Sequence, residues 1–235
     1  MAQTADNIIS FESAKDKSER RSGRNSGRGA KSRTRDSHPQ VLDRADLPID
    51  TIELAQYLIG KTLVRESRGA VLSGRIVETE AYPVGDAAGH AWRGCTRANR
   101  SLFLGHGYAY TYFIYGSCWC VNVTSELPGI GGGVLLRAIE PLEGIAQMKR
   151  NRKVARDLDI ARGPGRLAEA MRIDGEFDGV DLCERGAGLW LGDAARPVGR
   201  IGVSTRIGLS KQAHRRLRFY ERGSSFVSGP LALRK

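Results

Sequence analysis

Apolar residues recur along this chain first at helical and then at strand spacing. Leu54, Tyr57 and Leu58 fall on one helical face behind Asp50, which is suited to capping the helix, and Gly60 is suited to stopping it. Residues 61–66 and 71–82 read as two strands joined by a turn, and Pro83 and Gly85 end the second. Residues 108–115, rich in aromatic and β-branched side chains, are a third strand, with a turn or bulge expected at Gly116. Residues 119–124 and 133–140 are a fourth and a fifth, separated by a glycine-rich loop, 128–133, that reads as slack. Pro141 opens a predicted helix running to about Lys149, and residues 165–171 form another. Residues 190–191 and 201–207 are later strands, and 219–228 closes the chain. No internal repeat is read. Strands and helices do not alternate strictly, which predicts an α+β fold on an antiparallel or mixed sheet.

Composition sharpens this picture. The 235 residues are 40% hydrophobic, enough for a real core, and carry a formal net charge of +11. Such an excess suits a polyanionic partner, nucleic acid or an anionic surface, although a merely basic soluble protein has the same balance. Residues 1–40 hold nine basic and five acidic residues, leaving 28 and 21 for the rest. The body is therefore basic as well. Residues 1–40 cannot bury enough apolar surface to offset ordering entropy and are expected to be a disordered basic tail, with the domain in 41–235. The tail reads equally as a DNA tether, a localisation signal or an inert leader. No apolar run approaches roughly 18 residues, so no membrane span is expected. No secretory signal is read, and the four cysteines are expected to be reduced thiols inside a cell. The compartment expected is the cytoplasm and its nucleoid, or a nucleus.

The candidate chemistry gathers between Gly74 and Asn122. Nine of the sixteen aromatic residues lie from Tyr82 to Trp119, close in sequence to one acidic strand end, Glu78-Thr-Glu80-Ala-Tyr82. Glu78 and Glu80 share a strand face, and two close buried carboxylates would repel and raise one pKa. On residue type alone each glutamate reads as solvated, and each tyrosine fills a core as readily as a pocket. Arg137 interrupts an apolar strand and needs a partner, with Glu140 or Glu143 as ion-pair candidates. No lysine lies between Arg75 and Asn122, which argues against an amine nucleophile there. Cys118 and Cys120 lack the second ligand pair of a structural zinc site, and 129–133 lacks the Gly-Lys-Ser/Thr of a phosphate loop, so neither a metal nor a cofactor is expected.

In this order, Glu78-Thr-Glu-Ala-Tyr82, His90, Tyr112-Phe-Ile-Tyr-Gly116, Asn122, Leu135-Leu-Arg-Ala-Ile-Glu-Pro141, Gly163-Pro164, Arg218-Phe-Tyr220 and Val227-Ser228 resemble the alkyladenine (3-methyladenine, N-methylpurine) DNA glycosylases over residues 43–228. The resemblance implies a single compact domain with a curved sheet surrounded by helices and a protruding β-hairpin. It implies a monomeric, monofunctional enzyme of base excision repair on double-stranded DNA. Such an enzyme flips out and excises 3-methyladenine or 7-methylguanine, with deaminated and etheno purines as further substrates. Glu80 would be the general base, with Arg137 and the Ile201 carbonyl holding the water. Tyr82, His90 and Tyr112 would sandwich the base, Asn122 would exclude guanine, and Tyr115 would wedge into the duplex. Arg93, Arg97 and Arg100 would flank the pocket at the phosphates, with Lys149, Arg150, Arg152, Lys153, Arg215, Arg216 and Arg218 as further candidates. Ser117-Cys-Trp119 departs from the larger apolar residues common there. Two rivals remain at this level: a non-enzymatic nucleic-acid-binding domain, and a small-glycoside hydrolase using Glu78 and Glu80.

Overall fold

The computed structural model of the protein describes residues 39–67, 69–114 and 116–230. Tyr115 and the first 38 residues, most of the predicted tail, lie outside the described residues. Helix α1 (Thr51–Tyr57) starts at Asp50, whose side chain accepts the N–H groups of Ile52 and Glu53 at 2.8 and 2.9 Å. Leu54 and Leu58 are fully buried against the sheet. Among the described residues eight strands follow: β1 (Thr62–Ser67), β2 (Ala70–Tyr82), β3 (Ala109–Ile114), β4 (Cys118–Thr124), β5 (Gly133–Glu143), β6 (Leu189–Gly192), β7 (Ile201–Ser204) and β8 (Arg218–Glu221). Helices α2 (Ile145–Arg152) and α3 (Pro164–Met171) come after β5, and α3 packs on β4 and β5.

All pairings are antiparallel, in the order β3-β4-β5-β2-β1-β6, with β8 also on β2 and β7 on β8. The sheet curls into a half-barrel, giving the α+β fold predicted. Two-residue alternation sorts its faces. Ala81, Val121, Val123, Val134 and Leu136 face the main core, and their neighbours face the other way.

A bulge makes this sorting possible on β2. Ile76 and Ala81 both belong to the main core although they are five residues apart. The strand changes register against β5 between Ile76 and Glu78 and again before Thr79. The extra residue reverses the parity, so Glu78 and Glu80 leave the face to which Ile76 would have assigned them.

The predicted helix at Pro141 is corrected. Pro141 stays in β5 opposite Gly74, beside another register shift, where its missing N–H is tolerated. The helix starts at Ile145, after Gly144 at φ +71°, where a Cβ would stand 2.6 Å from the Val71 carbonyl oxygen. The strand predicted over 201–207 stops at Ser204, and the rest loops back over the site.

Candidate active site

Seven stretches of chain converge on one cavity of about 320 Å³, the lower end of ordinary ligand pockets. Its walls are alternate residues of neighbouring strands: Tyr82 of β2, Tyr110 and Tyr112 of β3, Cys118, Cys120 and Asn122 of β4, and Leu135 and Arg137 of β5. The pairings Tyr110 to Asn122, Asn122 to Leu135, Leu135 to Glu80 and Glu80 to Arg218 form one row across the sheet. Directly opposed residues project from the same face, so pairing alone gathers residues far apart in the chain. His90 arrives from the loop after β2, and Ile207 from the loop after β7.

Glu80 lies beneath this surface with no exposure. Its Oε1 accepts the Ile207 N–H at 2.8 Å. Its Oε2 accepts the Tyr82 hydroxyl at 3.0 Å and lies 3.3 Å from Arg137 Nη1. Burial raises the Glu80 pKa above the ordinary glutamate value. Arg137, the Ile207 N–H and Tyr82 oppose the rise, and Glu78 adds to it. Burial pulls the Arg137 pKa down, but Glu80 and Glu78 more than offset it, so the guanidinium stays charged. Burial, and then Glu80, push Tyr82 upward, which keeps its hydroxyl a donor.

Glu78 is not a solvated strand position. It is fully buried and binds Arg218 Nε at 2.6 Å, Arg137 Nε at 3.1 Å, and the N–H and hydroxyl of Ser228 at 2.6 and 2.8 Å. These bonds tie β2 to β5, β8 and the irregular segment at Ser228. Arg137 thus pairs with Glu78 and Glu80, not with Glu140, which binds Arg196 at 2.8 Å. Arg218, a candidate phosphate ligand, is internal.

The rings form a tight group. His90 and Tyr112 meet with centroids 4.4 Å apart at 65°, and Tyr110 stacks on Tyr112 at 5.6 Å. His90 Nδ1 is 2.8 Å from the Tyr110 hydroxyl, and burial lowers the histidine pKa, favouring neutral imidazole. Asn122 is held by its own Nδ2, which donates to the Tyr110 carbonyl at 3.1 Å. Burial pushes the Cys120 thiol up to about 11, so it is protonated beside Tyr112. Among the described residues no three His, Cys, Asp or Glu side chains gather as metal ligands.

The glycine run is not slack. A Cβ on Gly131 would stand 2.5 Å from the Phe103 ring and 2.6 Å from the Ala91 Cβ. Gly131, Gly132 and Gly133 line the cavity, and the lack of side chains lets backbone form that wall. Arg93, Arg97 and Arg100 are exposed around the neighbouring loop. A larger groove of about 660 Å³ adjoins the cavity across His90 and Tyr112, lined by Trp92, Arg93, Phe113, Trp119 and Lys211. The partners of Glu80, namely Tyr82, Arg137 and Ile207, line the smaller cavity.

A methylpurine-DNA glycosylase family model matches residues 45–225. The chain belongs to that family. It is 59% identical over 200 residues to a protein of Mesorhizobium japonicum named as a 3-methyladenine DNA glycosylase, covering 85% of this chain and 95% of that one. Proteins of the same name from Paraburkholderia phytofirmans and Chlorobaculum parvum are 50% and 46% identical, over 82% and 76% of this chain and 90% and 86% of theirs. This membership makes the protein a DNA glycosylase of DNA repair and DNA its substrate. Among the described residues no helix is long and apolar enough to cross a membrane.

Ile201 begins β7 opposite Glu221 and is not among the lining residues of the cavity, whereas Ile207 lines it and its N–H donates to Glu80. The reason lies in a direct repeat, contrary to the reading of none. Arg200-Ile-Gly-Val-Ser-Thr205 is followed by Arg206-Ile-Gly-Leu-Ser-Lys211. The two copies cannot be ranked by sequence, and they fold differently. Arg200 is exposed at the start of the first, whereas Arg206 is buried at the start of the second. Arg206 and Ile207 are the site residues that sequence reasoning missed, and this repeat was the available signal.

Proposed function

We propose that this glycosylase flips an alkylated purine, 3-methyladenine or 7-methylguanine, out of duplex DNA and hydrolyses its N-glycosidic bond to leave an abasic site. Deaminated and etheno purines enter the same cavity. The observation that carries this reading is a buried carboxylate, Glu80, bound at once to Arg137 and to Tyr82, both of which line the cavity. The extruded base lies between Tyr82 on one side and His90 and Tyr112 on the other. Alkylation at a ring nitrogen makes the base cationic, so it is attracted to ring faces and leaves readily. The sugar develops oxocarbenium character, which an ionised Glu80 stabilises while it orients and deprotonates the attacking water. Arg137 keeps Glu80 ionised against the cost of burial. Since Glu80 has no accessible surface, water reaches it when the Ile207 or Tyr82 bond opens.

Asn122 crowds the exocyclic amine of unmodified guanine, a cost that the cationic ring of 7-methylguanine offsets through its attraction to the ring faces, Tyr115 fills the gap left in the duplex, and Arg93, Arg97 and Arg100 meet phosphates. The basic tail adds a non-specific tether. Among the described residues the cavity lining includes no lysine, which supports water over an amine nucleophile; Lys211 lines only the adjoining groove.

Glu80→Gln tests this directly. Alkali-labile sites in methylated duplex should disappear while binding of that duplex persists. Excision at the native rate would remove Glu80 from the mechanism.

A further inference from the structure

Tyr82 lines the cavity, and the guanidinium of Arg206 lies 4.6 Å from its ring centroid. Arg206 does not line the cavity and its side chain has no exposure, so it backs the ring's far face. Its Nη1 donates to the Ala81 carbonyl at 2.9 Å and meets Asp86 Oδ2 at 2.8 Å. Its Nε and Nη2 have no hydrogen-bond partner among the described residues. A buried cation with two unpaired donors draws on whatever electron density is beside it, which here is the Tyr82 π face. Asp86 also binds Arg215 at 3.1 Å and so neutralises only part of the local positive charge.

We propose that Arg206 is a specificity-determining residue, which lowers the preference of the Tyr82 cavity face for a cationic base relative to a neutral one. This rests on the reading of Tyr82 as a base-stacking ring. A ring quadrupole shared with a cation behind it attracts a second cation less, whereas dispersion with a neutral purine is little changed. Arg206 also precedes Ile207, so a purely mechanical role as a brace is the alternative to be separated.

The two partners of the ion pair separate them, because they carry opposite charges. Dissociation constants are measured in a Glu80→Gln background for three duplexes, with one 7-methylguanine (cationic), one hypoxanthine (neutral) or no lesion. Each lesion affinity is normalised to the undamaged duplex, which cancels the change in overall charge. Arg206→Gln should move the ratio toward 7-methylguanine by about three- to tenfold. Asp86→Asn, which leaves the cation uncompensated, should move it toward hypoxanthine. A brace would weaken both lesions in proportion, so an unchanged ratio, or shifts of the same sign in both variants, overturns the proposal. If Arg206→Gln does not fold, Asp86→Asn alone decides, and no shift toward hypoxanthine overturns it. If the Glu80→Gln parent prefers neither lesion to undamaged DNA, the base-stacking reading itself fails and takes this inference with it.

Discussion

Glu80 shows how one side chain can be expensive to bury and still useful. Its raised pKa means that the ionised form is disfavoured by the fold. Activity that needs the carboxylate should fall as pH drops through a value above the ordinary glutamate range. In Tyr82→Phe the ring remains but the hydroxyl bond is lost, so the Glu80 pKa rises further. The acid limb of kcat/KM should then move to higher pH, and an unmoved limb would separate that limb from Glu80. The same shift has a stability sign. A carboxyl with a raised folded pKa contributes stability that is full below its unfolded value and lost as pH rises through the folded value. Glu80→Gln should therefore melt above the native chain at neutral pH, with the gain vanishing in mild acid. Glu78 is instead a buried anchor for two guanidinium groups. Glu78→Gln leaves Arg218 and Arg137 short of a buried partner and should cost about 3–5 kcal/mol in denaturant unfolding.

At the scale of elements, the site depends on strand register more than on any loop. The bulge after Ile76 turns two glutamates away from the main-core face, and the row from Tyr110 to Arg218 aligns one of them, Glu80, with the rings. The glycine run supplies the remaining wall by having no side chains. Gly131→Ala should push the Ala91 and Phe103 side of the wall outward, at a cost of about 1–3 kcal/mol. Thermal melting would show the stability loss. Steady-state kinetics should show a raised KM, because Ala91 adjoins His90. The helix expected at Pro141 was mistaken because proline marks a helix start and a strand irregularity alike, and only the partner strand distinguishes them.

Across the whole molecule, the positive charge is divided between residues 1–40 and the rest of the chain. Removal of residues 1–38 should weaken binding to undamaged duplex and flatten its salt dependence while excision continues at low salt. Filter binding across a salt series would show this, and a salt slope identical to that of the full chain would leave the tail without a role in DNA affinity.

The sequence by itself determined the strand and helix count through most of the body, the α+β class, the basic balance, and the Glu80, Tyr82, Tyr112 and Arg137 candidates. These are legible because alternation, caps and an ordered motif set are local properties. Tertiary structure decided that Glu78 is an internal anchor, that Arg218 faces inward, and that Ile207 of the repeated hexapeptide reaches Glu80. It also decided which face of β2 the carboxylates occupy. Each depends on which strand lies alongside and in what register, and two copies of one hexapeptide cannot carry that information.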